Sequence, residues 1–209
     1  MHEILGGDTG ELLTLDDYWS DFYEHFWRIE SIGFWKLERQ QFFKEPGNKS
    51  WEAFVDARWE ESLRLIDEQR DDFADYYGRI ARQGFVNRRV RIVEKPIIPY
   101  LQWELHLLRL RHEYGGLTSV VGPERVAPYE AQGTPLPEIY TLGLDVMYEA
   151  VYDDTGVLAA ARRYTDPDLI ARCQQLIEGL YHQGEPLDTF FDREVAALDP
   201  PTGTAGLPG

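Results

Sequence analysis

The sequence predicts an α+β fold, with a helical first half and a small mixed or antiparallel sheet with flanking helices in the second. Three observations carry this. Apolar residues recur at helical spacing through most of the first 83 positions. A short, β-branched, alternating run, FVNRRVRIV, opens at residue 85. Beyond it, turn chemistry at Gly115-Gly116, Asp153-Asp154-Thr155-Gly156 and Asp166-Pro167 divides the chain into short segments.

Taken in order, residues 1–13 read as a polar, glycine-containing leader. Thr14 caps a helix with Asp16 and Asp17 in its first turn, where the helix dipole favours negative charge. Tyr18, Trp19, Phe22, Phe26 and Ile29 give that helix an apolar aromatic face. The segment FWKLERQQFF after Gly33 fits neither period. Glu45-Pro46-Gly47-Asn48 is a turn, after which Ser50 caps a helix running through Trp51, Phe54, Trp59, Leu63 and Ile66. The charged stretch 67–72 interrupts the pattern before Phe73, Tyr77 and Ile80 resume it, and Gly84 ends it.

The second half alternates. A strand over 85–93 leads to a helix over 98–112, and LTSVV is a second short strand. Four prolines between 122 and 137 mark a long loop. EIYTLGLDVMYEAVY and VLAAARRY are strands joined by a hairpin in which Asp153 and Asp154 serve the turn. Asp166 caps, and Pro167 opens, a helix carrying Leu169, Ile170, Cys173 and Ile177. A last helix covers 187–198 and the tail 199–209 is disordered. The expected organisation is a leader, one α+β domain over 14–198, and a tail.

Composition narrows the function. Among 209 residues, 37 Asp and Glu outnumber 21 Lys and Arg, for a net charge of −16. Such a field repels phosphate backbones, so direct nucleic-acid binding is not expected. One cysteine excludes a disulfide framework and a cysteine-rich zinc site. No apolar run is long enough to span a bilayer, and the start lacks a signal-peptide layout. A soluble, cytoplasmic protein is the expectation. Nucleotide-loop, nucleophile-elbow and zinc-protease motifs are absent, and no metal or cofactor is expected.

The run Arg88-Arg89-Val90-Arg91 is the most unusual local feature. Strand alternation puts Asn87, Arg89, Arg91 and Val93 on one face, with Arg88, Val90, Ile92 and Glu94 on the other. Two arginines on one face need an anionic neighbour. That neighbour is either an internal carboxylate or a ligand's carboxylate, phosphate or sulfate held in an arginine fork. On the helix that follows, Tyr100 and Glu104 stack four apart, with Trp103 adjacent. The five residues form the candidate site: Arg89, Arg91 and Trp103 binding substrate, Glu104 and Tyr100 accepting a proton. The alternative is a buried Arg–Glu pair with a tyrosine hydrogen bond. Glu149 is a second candidate base, with Arg162 and Arg163 across the hairpin as its structural partners. His106 and His112 are six apart and fall on different helix faces, so they do not form a metal pair.

The stretch RRVRIVEKPIIPYLQWE (88–104) resembles the signature of an actinobacterial domain family of unknown function, often encoded beside helix-turn-helix regulators. Its matching positions are Arg89, Arg91, Pro96, Tyr100, Trp103 and Glu104. Phe34-Trp35-Lys36-Leu37-Glu38 resembles the family's aromatic-x-Arg-Leu-Glu segment, with Lys36 in place of the arginine. The resemblance spans roughly 15–183 and is specific only over 88–104. The second half also resembles a catalytically empty phospholipase D-like unit without its His-Lys-Asp motif, which implies a mixed sheet and ligand sensing. Two functions are expected from these features. One is a cofactor-independent lyase or cyclase of specialised metabolism that displaces an anionic leaving group such as sulfate or phosphate. The other is a non-catalytic accessory that senses a small anion, or partners a helix-turn-helix regulator through its acidic surface.

Overall fold

A computed structural model describes residues 3–5, 7–30, 32–130 and 134–201. Among them, eight strands form one mixed sheet: β1 (Glu11–Thr14), β2 (Phe34–Glu38), β3 (Asn87–Ile92), β4 (Gly116–Val121), β5 (Ile139–Leu142), β6 (Val146–Tyr152), β7 (Leu158–Tyr164) and β8 (Glu185–Pro186). Their order is β1-β7-β6-β5-β2-β3-β4-β8. Strands β2, β3 and β4 run parallel, and the other neighbours pair antiparallel. The helices are α1 (Leu15–Phe26), α2 (Lys49–Val55), α3 (Trp59–Asp67), α4 (Arg70–Gln83), α5 (Pro99–Tyr114), α6 (Pro123–Val126), α7 (Pro167–Gln183) and α8 (Leu187–Glu194).

The α+β class holds, but the sheet reaches into the first half of the chain, and β2 lies near its centre. The segment Phe34–Glu38 matched neither period because it is covered on both faces. Trp35 and Leu37 face α7, in a core shared with Val90, Ile92, Ile139 and Ile177. Phe34 packs on the opposite side with Tyr18, Phe26 and Tyr140. The expected leader is also partly structured: β1 pairs with β7, and Leu13 is buried against α1. Of the expected tail, Asp199 accepts a hydrogen bond at 3.0 Å from Gln102 through its carbonyl, while residues 202–209 lie outside the described set.

Local signals explain most boundaries. Thr14 Oγ1 accepts from Asp17 N, and Asp166 Oδ1 accepts from Asp168 N at 2.8 Å, as the capping chemistry requires. Gly84 ends α4 in the left-handed region at φ +90°. The helix expected across 51–66 is two helices, the first capped by Asn48 rather than Ser50 and the second without a side-chain cap. Ala57 turns the chain at φ +58°, and α3 folds back so that Ser62 Oγ donates to the Ser50 carbonyl at 2.7 Å. A buried serine at each contact lets the two helices approach closely. The 122–137 loop holds α6 and a short 3-10 turn, with 131–133 outside the described residues. The last helix stops at Glu194 rather than 198. Trp19, expected in the core, is 42% exposed, on the outer side of α1.

Gly33 shows why one residue type is needed at the entry to β2. Its φ is +92°, and a Cβ there would sit 2.7 Å from the Val86 carbonyl oxygen. That carbonyl accepts from Phe34 N at 3.0 Å, so it cannot move without losing the bond that starts the sheet's central pair. Gly33→Ala is expected to destabilise the protein by about 1–3 kcal/mol. An unchanged urea midpoint would contradict this.

Helix α7 covers one face of the sheet, while α1 and α5 cover the other. Helices α2 to α4 pack outside α5 and bury Phe54, Ile66, Trp103 and Leu107. The parallel strands and α5 thus enclose the polar part of the interior.

Candidate functional site

The sheet register decides which side chains share the α5 face. Lys36 lies beside Arg89 and Tyr140, and Glu38 beside Arg91. Alternation turns Val90 and Ile92 into the α7 core and leaves Arg89 and Arg91 on the α5 side, as the sequence predicts. Helix α5 crosses this face with Tyr100, Glu104, Leu107 and Arg111 along one stripe, a spacing of four, three and four. The loop at 43–46 is tied to the β6–β7 hairpin, Lys44 N donating to the Gly156 carbonyl at 2.8 Å. A cleft of about 470 Å³ opens between these parts, with Trp19 at its rim.

Arg91 is fully buried; its Nε and Nη1 are used internally, while Nη2 is buried without a hydrogen-bond partner among the described residues. Nε donates to Glu104 Oε2 at 2.7 Å, and Nη1 donates to the carbonyls of Gln40 at 2.6 Å and Ile92 at 3.1 Å. The arginine fork expected to grip a ligand is therefore half architecture: Arg91 has no exposed surface to offer one. Arg89 does line the cleft, but its Nη1 donates to Glu38 Oε2 at 2.6 Å. Glu38 also pairs with Lys36 Nζ at 2.6 Å.

Tyr100 and Trp103 lie outside the lining of the cleft. The Tyr100 hydroxyl donates to Glu45 Oε1 at 2.9 Å and stands 3.5 Å from Glu104 Oε1. Trp103 is buried against α2, its ring stacked on Phe54 and its Nε1 donating to Ser50 Oγ at 2.8 Å. Tyr100 positions two carboxylates, and Trp103 holds two helices together. Glu104 does line the cleft. The second candidate base, Glu149, accepts from Tyr164 OH at 2.8 Å and stands opposite Arg162 in the β6–β7 register. His106 is wedged between Trp59 and Phe191, and His112 Nδ1 accepts from Thr118 N at 2.9 Å. Among the described residues, no group of three or more His, Cys, Asp and Glu side chains is disposed to hold a metal ion.

Burial sets the electrostatics. It opposes ionisation of Glu38, but Arg89, Lys36 and Arg91 outweigh it and hold that carboxyl well below the usual range. Glu104 is pushed up by burial; Arg91 opposes the shift, and the Glu38 charge adds to it. Glu138 is also buried and is pushed up to about 7, chiefly by burial and then by the Glu38 charge. The phenol of Tyr100 is raised well above its ordinary value by burial and by Glu104 and Glu45.

Sequence reading overlooked two cations. Arg111 lines the cleft, its guanidinium 5.3 Å from the Phe73 ring centroid, and its Nε is buried without a hydrogen-bond partner. Lys44, on the 43–46 loop, lines it too. Neither forms an ion pair among the described residues. The stripe running on from Glu104 to Arg111 was the available signal for the first. Lys44 carried none, because the 43–46 loop meets the cleft only by docking on a distant hairpin. Four cationic side chains (Lys36, Lys44, Arg89 and Arg111) face three carboxylates (Glu38, Glu45 and Glu104) in the cleft. In a chain of net charge −16, this is a local reversal of sign.

Residues 17–192 match the sequence profile of a family described as Domain of unknown function (DUF6879). No curated protein and no solved structure matches the chain. Among the described residues, no helix is long and apolar enough to cross a membrane.

Proposed function

We propose, from the premise that the chain belongs to the DUF6879 family and from the geometry of its cleft, that the protein binds a small organic anion there. The observation that supports this best is Arg111, a half-buried guanidinium on the cleft wall whose Nε has no acceptor, and which no carboxylate pairs with, among the described residues. An arginine cannot shed its charge, so a partly buried one without a counter-ion is stabilised by an anion arriving from solvent. Lys44, and Arg89 beside Lys36, also line the cleft and add positive potential. The apolar lining, with Phe43, Leu107 and Leu158, suits an organic body behind the charged group. The protein then acts as a ligand-sensing accessory, with a helix-turn-helix regulator as the partner implied by the resemblance over 88–104.

The test is thermal unfolding with and without sulfate, phosphate and phenylpropanoate at matched ionic strength, for wild type and Arg111→Gln. An anion at about 100 times its Kd adds roughly 2.7 kcal/mol to stability, a clear rise in Tm. That rise is expected in the wild type and is expected to vanish in a folded Arg111→Gln protein. No rise with any of the three anions removes the reading.

A second reading, a cofactor-independent lyase or cyclase of actinobacterial specialised metabolism, is favoured by one observation. Glu104 lines the cleft, and burial moves its carboxyl in the direction a general base near neutral pH requires. It would take a proton from carbon or an attacking amine as the bond to a sulfate or phosphate leaving group breaks. Against it, Glu104 is held by Arg91 at 2.7 Å. In a Glu104→Gln protein, lost turnover with intact anion binding selects the enzyme. Turnover unaffected removes Glu104 as the base.

A further inference from the structure

Among the described residues, the carboxylate of Glu45 has no countercharge. Its Oε1 accepts from the Tyr100 hydroxyl and its Oε2 from Asn48 Nδ2 at 3.0 Å, both neutral donors. No ion pair reaches it among the described residues, although it lines the same cleft as four cationic side chains. Glu38, by contrast, is shared by Lys36 and Arg89, and Glu104 is matched by Arg91. Each carboxylate oxygen accepts more than one hydrogen bond, so both oxygens of Glu45 keep acceptor capacity. Among the described residues, the cleft therefore holds unmatched charge of both signs: positive on Arg111, negative on Glu45, while Lys44 adds positive charge but lies within the field of Asp153.

A ligand carrying only an anionic group would answer the first and leave the second facing a like charge. Its body would lie along Phe43, Leu107 and Leu158, with Tyr152 also in the lining. Tyr152 packs against Phe43 at 4.9 Å between ring centroids and lies within the field of Glu45, Glu38 and Glu104.

We infer that the occupant of the cleft is amphoteric: an amino-acid-like molecule whose anionic group meets Arg111 and Lys44 and whose protonated amine is received by Glu45. This deepens the anion-binding reading and rests on it. Glu45 is then a specificity-determining residue, since it separates amino acids from simple organic acids of the same shape. A site built to hydrogen-bond a donor rejects the analogue without it, because its own polar group is left unpaired.

Two matched pairs test this by calorimetry on the full chain: free phenylalanine against phenylpropanoate, and ε-aminohexanoate against hexanoate. The pairs cover short and long separations between the two charges. In the wild type, at least one amine-bearing member is expected to bind about tenfold more tightly than its partner, the effect of one charge-assisted contact. Glu45→Gln keeps an oxygen for the Tyr100 hydroxyl and removes the charge. It is expected to abolish that preference while leaving the affinity for phenylpropanoate or hexanoate unchanged or higher. If the simple acids bind and the amine adds nothing in the wild type, the amphoteric inference is wrong and the anion site stands. The same holds if Glu45→Gln, folded as judged by its Tm, keeps the preference. If neither acid nor amino acid binds, the anion-binding reading itself falls and takes the inference with it. The wild-type comparison decides the matter even if the variant does not fold.

Discussion

Glu104→Leu is expected to lower stability by about 3–5 kcal/mol, because it strands a buried guanidinium that cannot lose its proton. Arg91 is fully buried and donates to Glu104 at 2.7 Å, so no solvent stands ready to replace the carboxylate. The converse variant, Arg91→Met, is expected to cost less. The orphaned Glu104 can take a proton, and burial already favours its neutral form. The cost of Arg91→Met should therefore grow as pH rises, since an acid with a raised folded pKa loses stability in that direction. Replacing both, Arg91→Met with Glu104→Leu, is expected to recover part of the single-variant loss. Recovery stays incomplete because the carbonyls of Gln40 and Ile92 lose the donor they had in Arg91 Nη1. Urea titrations with unchanged m-values would measure all three. A Glu104→Leu cost below about 1 kcal/mol would mean that the pair is solvated and not buried architecture.

Glu138 is expected to make the protein less stable as pH rises from about 4.5 to about 7, the ordinary and folded values of its carboxyl. The folded state keeps its proton across that window while the unfolded chain has lost it, so stability falls with increasing pH. The geometry accounts for the shift. Oε1 accepts from the backbone N–H of Arg39 at 2.7 Å and of Gln40 at 2.5 Å, whereas Oε2 is buried without a partner, near the Glu38 charge. Glu138→Gln keeps an acceptor for the two N–H groups and cannot ionise. Relative to wild type it should gain on the order of 3 kcal/mol on going from acid pH to pH above the folded value. Parallel pH profiles of wild type and variant would show that Glu138 does not titrate in the window. Glu38 acts in the opposite sense. Its carboxyl is held low by Arg89, Lys36 and Arg91, so its contribution is full above the ordinary carboxylate range and is lost progressively as pH falls below it.

How much of this was legible beforehand differs between the fold and the site. Helix starts at Thr14 and Asp166 and the helix end at Gly84 depend on bonds within a few residues, and the sequence displays them. Strand β3 is read correctly from its own alternation, which also separates Arg89 and Arg91 from Val90 and Ile92. Strand β2 is not, because burial on both faces erases alternation, and β1 exists only by pairing with β7, about 150 positions away.

The candidate site divides in the same way. That Arg91, Tyr100 and Glu104 meet follows from a strand, a short connection and a helical spacing of four, all within seventeen residues, and the sequence by itself determined it. Whether those groups face a ligand or each other was decided by tertiary structure. Helix α5 lies flat on the sheet and excludes water from Arg91, which turns the arginine into architecture. The docking of the 43–46 loop on the β6–β7 hairpin brings Lys44 and Glu45 to the cleft that Arg111 lines. The physical reason is range. Capping, alternation and helical stacking act between near neighbours in the chain, whereas desolvation and countercharge depend on every element that closes over a residue.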